Sequence, residues 1–292
     1  MIGFSLDWLR LRAPADRAAR DVGLAQRFAA ALRRPGERPL RLVDLGSGTG
    51  ANARALAPLI GGDQEWLLVD DDAALLEFCA AEHIAWAARE GWSIEKSGDA
   101  VLVDASGARW RFAARRIDIA RELGAALAES PDGITFAALA DLVSAGWIDD
   151  LAVEIERRRV PLLSALAADG RRHWQPSDAA DEELRDAIGR HQRRDKGFGP
   201  ALGGAATVYL GARMAAAGCA VTTAASDWRL DAGQSGLLAA VIDTERRAAS
   251  AERPEAAARF AAWAERRHAQ LAAGSLSLML GQRDLLAVPR GL

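Results

Sequence analysis

Lysine is almost missing from this chain. The 292 residues contain lysine only at Lys96 and Lys196, one tyrosine (Tyr209) and two cysteines. Cys79 and Cys219 lie too far apart in sequence to form a paired-cysteine metal or redox motif, and their isolation suits a reducing compartment. No apolar run reaches membrane-spanning length. The N-terminal stretch has no charged start followed by an apolar core. The chain therefore reads as soluble and cytoplasmic, with no membrane partner. An excess of positive charge is also lacking: the net charge is −3 and the isoelectric point is near 5.9. That disfavours nucleic acid as a bulk electrostatic partner. The arginine-over-lysine bias, with abundant alanine, fits a GC-rich bacterial genome more than a functional demand.

Half the residues are hydrophobic, enough for one large α/β domain with insertions. The most informative stretch is Leu40 to Ala51, LRLVDLGSGTGA. Leu40, Leu42, Val43 and Leu45 suit a buried strand. Gly46, Gly48 and Gly50 then permit a tight turn against which a ligand can lie. A helical run follows from Asn52 to Leu59, so backbone N–H groups at its start face the turn. Strand, glycine turn and helix in that order build a site for a nucleotide-type cofactor. The glycines, with Ala51, also fit the dinucleotide pattern. Asp44, just before the turn, decides between the readings. A carboxylate there repels a pyrophosphate and attracts a ligand that brings positive charge.

The motif Asp44-Leu45-Gly46-Ser47-Gly48-Thr49-Gly50 resembles motif I of the class I methyltransferases, which use S-adenosylmethionine (SAM). A second apolar strand, Glu65 to Asp70, ends in an acid 20 residues past Gly50. At that place such folds carry the carboxylate that holds ribose hydroxyls. The resemblance implies a doubly wound, mostly parallel seven-stranded sheet with the last strand antiparallel. It also implies cofactor contacts from Asp44, Gly46, Ser47, Gly48, Thr49, Gly50 and Asn52, from Asp70 and Asp71, from Asp118 and Ile119 beside the adenine, and from Ala137 and Ala138. At the fourth strand tip, Ala137-Ala138-Leu139 replaces the Asn/Asp-Pro-Pro-aromatic motif of several amino-methylating branches. Methylation of nucleobase or protein amide nitrogens by that mechanism is therefore disfavoured.

Order and spacing supply the remainder. Phe4 to Leu32 reads as a helical segment split by Pro14, and residues 1–38 form an N-terminal lid or a helix on the sheet. Residues 39–292 form the cofactor domain. Ala100–Asp104 and Ala108–Ile117 read as a hairpin around Ala105-Ser106-Gly107. Further strands fall at 134–139, 160–167, 219–230 and 275–288, with insertions at about 169–204 and 231–274. His83 belongs to a helix that leads away from the site.

Ligands in open α/β sheets bind beyond the carboxyl ends of the strands. Both insertions leave such ends. The first carries His191 to Pro200, a run with a histidine, an acid, a lysine and a glycine-bounded aromatic. His191 is the expected proton acceptor and Asp141 the second choice. Trp8, Arg12, Trp147, His173, Asp195, Lys196 and Phe198 are the expected substrate contacts, with Asp195 orienting His191. Arg12, Asp16 and Arg20 also read as a surface ion-pair ladder. No metal site is evident. The reading is SAM-dependent methylation of a small-molecule acceptor. An RNA methyltransferase using Arg171-Arg172-His173 and Arg190 to Lys196 is one alternative, and an NAD-dependent oxidoreductase another.

Overall fold

A computed structural model describes residues 5–32, 38–105 and 107–291. Phe4 and Ser106, named in the helix and hairpin expectations, lie outside them. The expected strand–turn–helix is present as β1 (Leu40–Leu45) and α3 (Ala51–Ile60), preceded by α1 (Leu6–Ala19) and α2 (Val22–Ala31). β1 is buried on both faces, as a central parallel strand must be. It pairs in parallel with β2 (Gln64–Asp70) and β6 (Gly133–Ala137). β5 (Ala108–Arg116) extends the sheet beyond β2, and β7 (Leu162–Gln175) extends it beyond β6. β10 (Ser277–Pro289) then runs antiparallel to β7 and to β8 (Cys219–Ala225).

These strands stand in the order β5-β2-β1-β6-β7-β10-β8 inside a mixed sheet of ten. The expectation of seven strands needs correcting on three counts. A hairpin, β3 (Ser93–Ser97) and β4 (Ala100–Ala105), joins antiparallel to the β5 edge. Its outer strand is short and carries Glu95 and Lys96, charges that discourage further pairing at an open edge. The stretch read as a sixth strand divides into β8 and β9 (Trp228–Leu230), and β9 pairs with the start of β10. β7 also continues past Ala167 to Gln175, so the insertion begins later than expected.

Pro14 does not split the first helix: α1 runs through it and ends at Arg20. α2, α3 and α4 (Ala73–Glu90) cover one sheet face through Phe28, Leu56 and Trp86. α6 (Ala145–Arg158) and α8 (Ala206–Ala216) cover the other through Ile148, Leu151, Leu210 and Met214. A third core lies above the strand ends. Trp174 of the extended β7 packs there with α7 (Asp181–Gln192), α9 (Ser235–Glu252) and α10 (Ala257–Ala272), and Ala15 joins from α1.

The two arms of β7 meet at a bulge. Leu166 takes φ of +58°, strained for a non-glycine residue, beside a register shift between Arg283 and Leu285. Asp284, 2 % exposed, holds this bend. Its Oδ1 accepts from Leu166 N at 2.7 Å and its Oδ2 from Asp21 N at 3.0 Å. One carboxylate thus ties the bulge to the α1–α2 junction. Asp284→Ala strands two inner amide donors, so equilibrium urea unfolding should show a loss of about 2–4 kcal/mol. An unchanged midpoint would remove Asp284 from this role.

Candidate functional site

The chain leaves β1 through Gly46, Gly48 and Gly50, with φ of +62°, +54° and +78°. Glycine takes such angles without steric cost. The turn is fixed by Ser47 N donating to Val69 O at 2.9 Å and Gly50 N to Ser47 O at 2.8 Å. Gly50 is also required by space: a Cβ there would overlap His83 Cε1 and Leu68 Cδ1. His83, expected to point away from the site, is the strut beneath the turn. It is 1 % exposed, lies against Phe112 with ring centroids 4.3 Å apart, and its Nδ1 hydrogen-bonds Cys79 O at 2.8 Å. Burial, with Arg54 nearby, pushes its pKa down to about 3, so the ring is neutral.

Two carboxylates flank the turn differently. Asp44 lies beneath it with no exposure. Its Oδ1 accepts from Asn52 Nδ2 at 2.6 Å and Thr135 Oγ1 at 2.7 Å, and its Oδ2 has no partner. Burial raises its pKa to about 6, against the lowering effect of those bonds and of Arg20. Asp70, at the tip of β2, fastens the turn from the side. Its Oδ2 accepts from Gly48 N at 2.8 Å and its Oδ1 from Asp72 N at 2.9 Å. Each of those oxygens keeps a second lone pair for a hydroxyl. An orphaned carboxylate oxygen, carboxylate acceptors for hydroxyls and a turn whose three glycines carry no side chain fit a cofactor that brings a cation and a ribose.

The turn forms one wall of a cavity of about 730 Å³. Gly46, Ser47, Gly48, Thr49, Asn52, Asp70, Asp71, Asp118, Ile119, Ala137 and Ala138 line it at the turn. Asp44 and Gly50 sit behind that surface. Asp118 also caps its own turn, accepting from Ala120 N at 3.0 Å. The other end is walled by α1, the extended β7, α7, α9 and β10. Trp8, Arg12, Asp141, His191, Lys196 and Phe198 all reach it.

Asp141 is 8 % exposed, and its Oδ1 accepts a long 3.4 Å bond from Ala168 N. Burial raises its pKa to about 6. His191 has a buried, unpartnered Nδ1, and burial followed by Lys196 and Arg194 lowers its pKa. Arg172, read in the sequence only as part of an RNA-binding strip, and Glu245, absent from that reading, form a 2.9 Å ion pair in this wall, with Glu245 Oε2 unpartnered. Nothing in the local sequence marks the pair, because β7 and α9 meet only in the fold.

Three expected substrate contacts stand elsewhere. Trp147 is a buried pillar: its Nε1 donates to Ile119 O at 2.8 Å and Phe198 packs edge-on against it. His173 is exposed on β7 and does not line the cavity, although Arg171 and Arg172 beside it do. Asp195 does not orient His191; it is exposed and accepts from Gly197 N at 2.7 Å and Gly199 N at 2.9 Å. The ladder Arg12, Asp16 and Arg20 is not on the outer surface. All three face the cavity: Arg12 lies 5.0 Å over the Trp228 ring and Asp16 accepts from Trp228 Nε1 at 2.9 Å.

Gly50→Ala should destabilise the chain by about 2–4 kcal/mol through backbone strain and the His83 overlap. Chemical denaturation measures this. Wild-type stability in that variant would mean that the turn tolerates a side chain.

No protein-family model matches the chain, and no curated protein matches it in sequence. Its likenesses are structural. The cyclopropane-fatty-acyl-phospholipid synthase-like protein of Lactobacillus casei is 14% identical, with a TM-score of 0.51 over 95% of this chain and 98% of that one. A SAM-dependent methyltransferase of Geobacter sulfurreducens in complex with S-adenosyl-L-homocysteine is 14% identical, with a TM-score of 0.44 over 99% and 100%. Geranyl diphosphate C-methyltransferase from Streptomyces coelicolor, with Mg2+, geranyl diphosphate and S-adenosyl-L-homocysteine, is 14% identical, with a TM-score of 0.44 over 92% and 77%. The chain therefore has the mixed α/β fold of the class I methyltransferase structures.

Proposed function

We propose that the protein is a SAM-dependent methyltransferase acting on a small-molecule acceptor. The observation that carries this reading is the pairing of Asp44 and Asp70 about one glycine turn on the wall of a large cavity. The buried Asp44 keeps one oxygen without a donor, and Asp70 keeps lone pairs at the turn's rim. Gly46 to Gly50 and Asn52 would hold the methionine portion, with Asp44 near its ammonium. Asp70 and Asp71 would hold the ribose. Asp118 and Ile119 would border the adenine, and Ala137 and Ala138 the sulfur end. A pyrophosphate is disfavoured beside these acids, which weighs against a dinucleotide. Paired arginines weigh against a phosphate-binding strip: Arg171 meets Asp169 and Asp227, Arg172 meets Glu245, and Arg194 meets Glu252.

When bound, SAM supplies an electrophilic methyl group on a sulfonium. The chain's own work is to orient the acceptor, exclude water and take a proton. The chamber end beyond Ala138 and Asp141 is where the acceptor sits. Asp141 is ionised above about pH 6, and burial holds His191 below the ordinary imidazole range and so favours its neutral form; either can receive the proton near neutrality.

Calorimetry with S-adenosylhomocysteine and with NAD tests the reading. Binding of the first and not the second is expected, and the reverse would sink it. A cation placed beside Asp44 favours its carboxylate, so its pKa falls on binding. Below about pH 6 binding should then release protons, seen as a buffer-dependent enthalpy. Proton uptake would be the wrong sign for an ammonium at this position. Transfer of a tritiated methyl group to a small-molecule extract stripped of nucleic acid should rise with pH through about 6 if Asp141 is the base. Asp141→Asn should then lower turnover by about 10²–10⁴-fold and abolish that rise. A full effect of His191→Gln with Asp141→Asn silent would move the role to His191.

A further inference from the structure

Arg20 closes α1 at the α1–α2 junction, is half-buried and lines the cavity. Its Nη1 donates to Asn52 Oδ1 at 2.7 Å. Among the described residues no carboxylate is within ion-pair distance of it. Asp16, Asp44 and Asp284 act on it only at longer range. A guanidinium carries five donors in a planar fork, and one amide oxygen leaves most of them free to meet a ligand in the cavity. The amide it touches is the one whose Nδ2 donates to Asp44 Oδ1 at 2.6 Å. A cation and an anion thus stand on either side of Asn52, at the first residues of α3 behind the glycine turn. That arrangement matches a ligand end carrying both an ammonium and a carboxylate.

The same arginine belongs to a stripe. Trp8, Arg12, Asp16 and Arg20 recur at every fourth position of α1, which puts them on one helix face, and all four line the cavity. α1 is about 21 Å long at 1.5 Å per residue, so the stripe reaches from the cofactor end to the Trp228 wall. The helix is thinly anchored. Ala15 is its only buried residue among those described, and Pro14 removes one helical donor. Its outer pair, Arg10 with Glu82, is exposed and of small worth.

We propose that Arg20 takes the carboxylate of the SAM amino-acid end and thereby latches α1 across the acceptor chamber. This rests on the proposed SAM site. Cofactor bound through Arg20 sets the helix end, and Trp8, Arg12 and Asp16 then complete the acceptor wall. The acceptor chamber is consequently assembled after the cofactor is in place.

Two ligands separate the parts: S-adenosylhomocysteine, and its decarboxylated form, which keeps adenine, ribose and ammonium and lacks only the carboxylate. By calorimetry the wild-type protein should bind the first about 10–100-fold more tightly. Arg20→Ala should bind both with the same affinity, close to that of wild type for the decarboxylated form. Arg20→Lys should restore part of the preference. By hydrogen exchange, S-adenosylhomocysteine should protect the amides of α1, and the decarboxylated ligand should not. Equal wild-type affinities, or a preference that survives in Arg20→Ala, would overturn the carboxylate role. Equal protection of α1 by both ligands would overturn the latch. The wild-type comparisons decide the matter even if the variants fail to fold. If the wild-type protein binds neither ligand, the SAM reading itself falls and this inference with it.

Discussion

A fully buried carboxylate must be given donors by the chain, and Asp44 shows how much structure that requirement recruits. Asn52 comes from the first turn of α3 and Thr135 from β6. Asn52 in turn engages Arg20 at the end of α1. Strand β1, its neighbour β6, the helix after the glycine turn and the helix over the chamber are therefore joined through one oxygen and one amide. The burial that makes this expensive also raises the Asp44 pKa to about 6 and leaves its second oxygen without a donor. A site that is incompletely satisfied when empty gains most from a ligand that completes it.

A second buried acid plays the complementary structural part. Asp284 spends both oxygens on backbone amides, one at the strained Leu166 and one at the start of α2. It fixes where β7 bends away from the parallel sheet. Beyond that bend β7 and β10 continue as an antiparallel arm, with β9 beside them, and α7, α9 and α10 pack on it. The parallel sheet thus presents the cofactor turn, and the arm above it presents the acceptor chamber. The bulge sets the relation between the two.

The contrast between Asp44 and Asp70 follows from geometry. Asp70 lies at the rim, where backbone donors from Gly48 and Asp72 orient its carboxylate. Asp44 lies below, where only side chains reach it. Local sequence patterns place both acids at the right strand tips, because a strand ending in an acid before a glycine turn is written in consecutive residues. The same patterns do not reveal His83, whose contact with Gly50 spans two elements, and they put Trp147 and His173 in a chamber that these residues do not enter.

What the sequence determined by itself is the β1–turn–α3 unit, the acid at the tip of β2, the hairpin into β5 and the central parallel order. Each rests on hydrophobic period, glycine placement or a spacing of a few residues, and neighbours along the chain decide such features. The tertiary structure alone decided the rest. Only in the fold does β7 outrun its apolar stretch, since pairing with β10 satisfies the backbone of a polar segment that has no strand period of its own. Only there do Arg172 and Glu245 meet, and only there does a run of arginines and acids on α1 turn inward. A charged helix face reads as solvated until a cavity is shown beneath it, because the sequence specifies which residues share a face and not what that face meets.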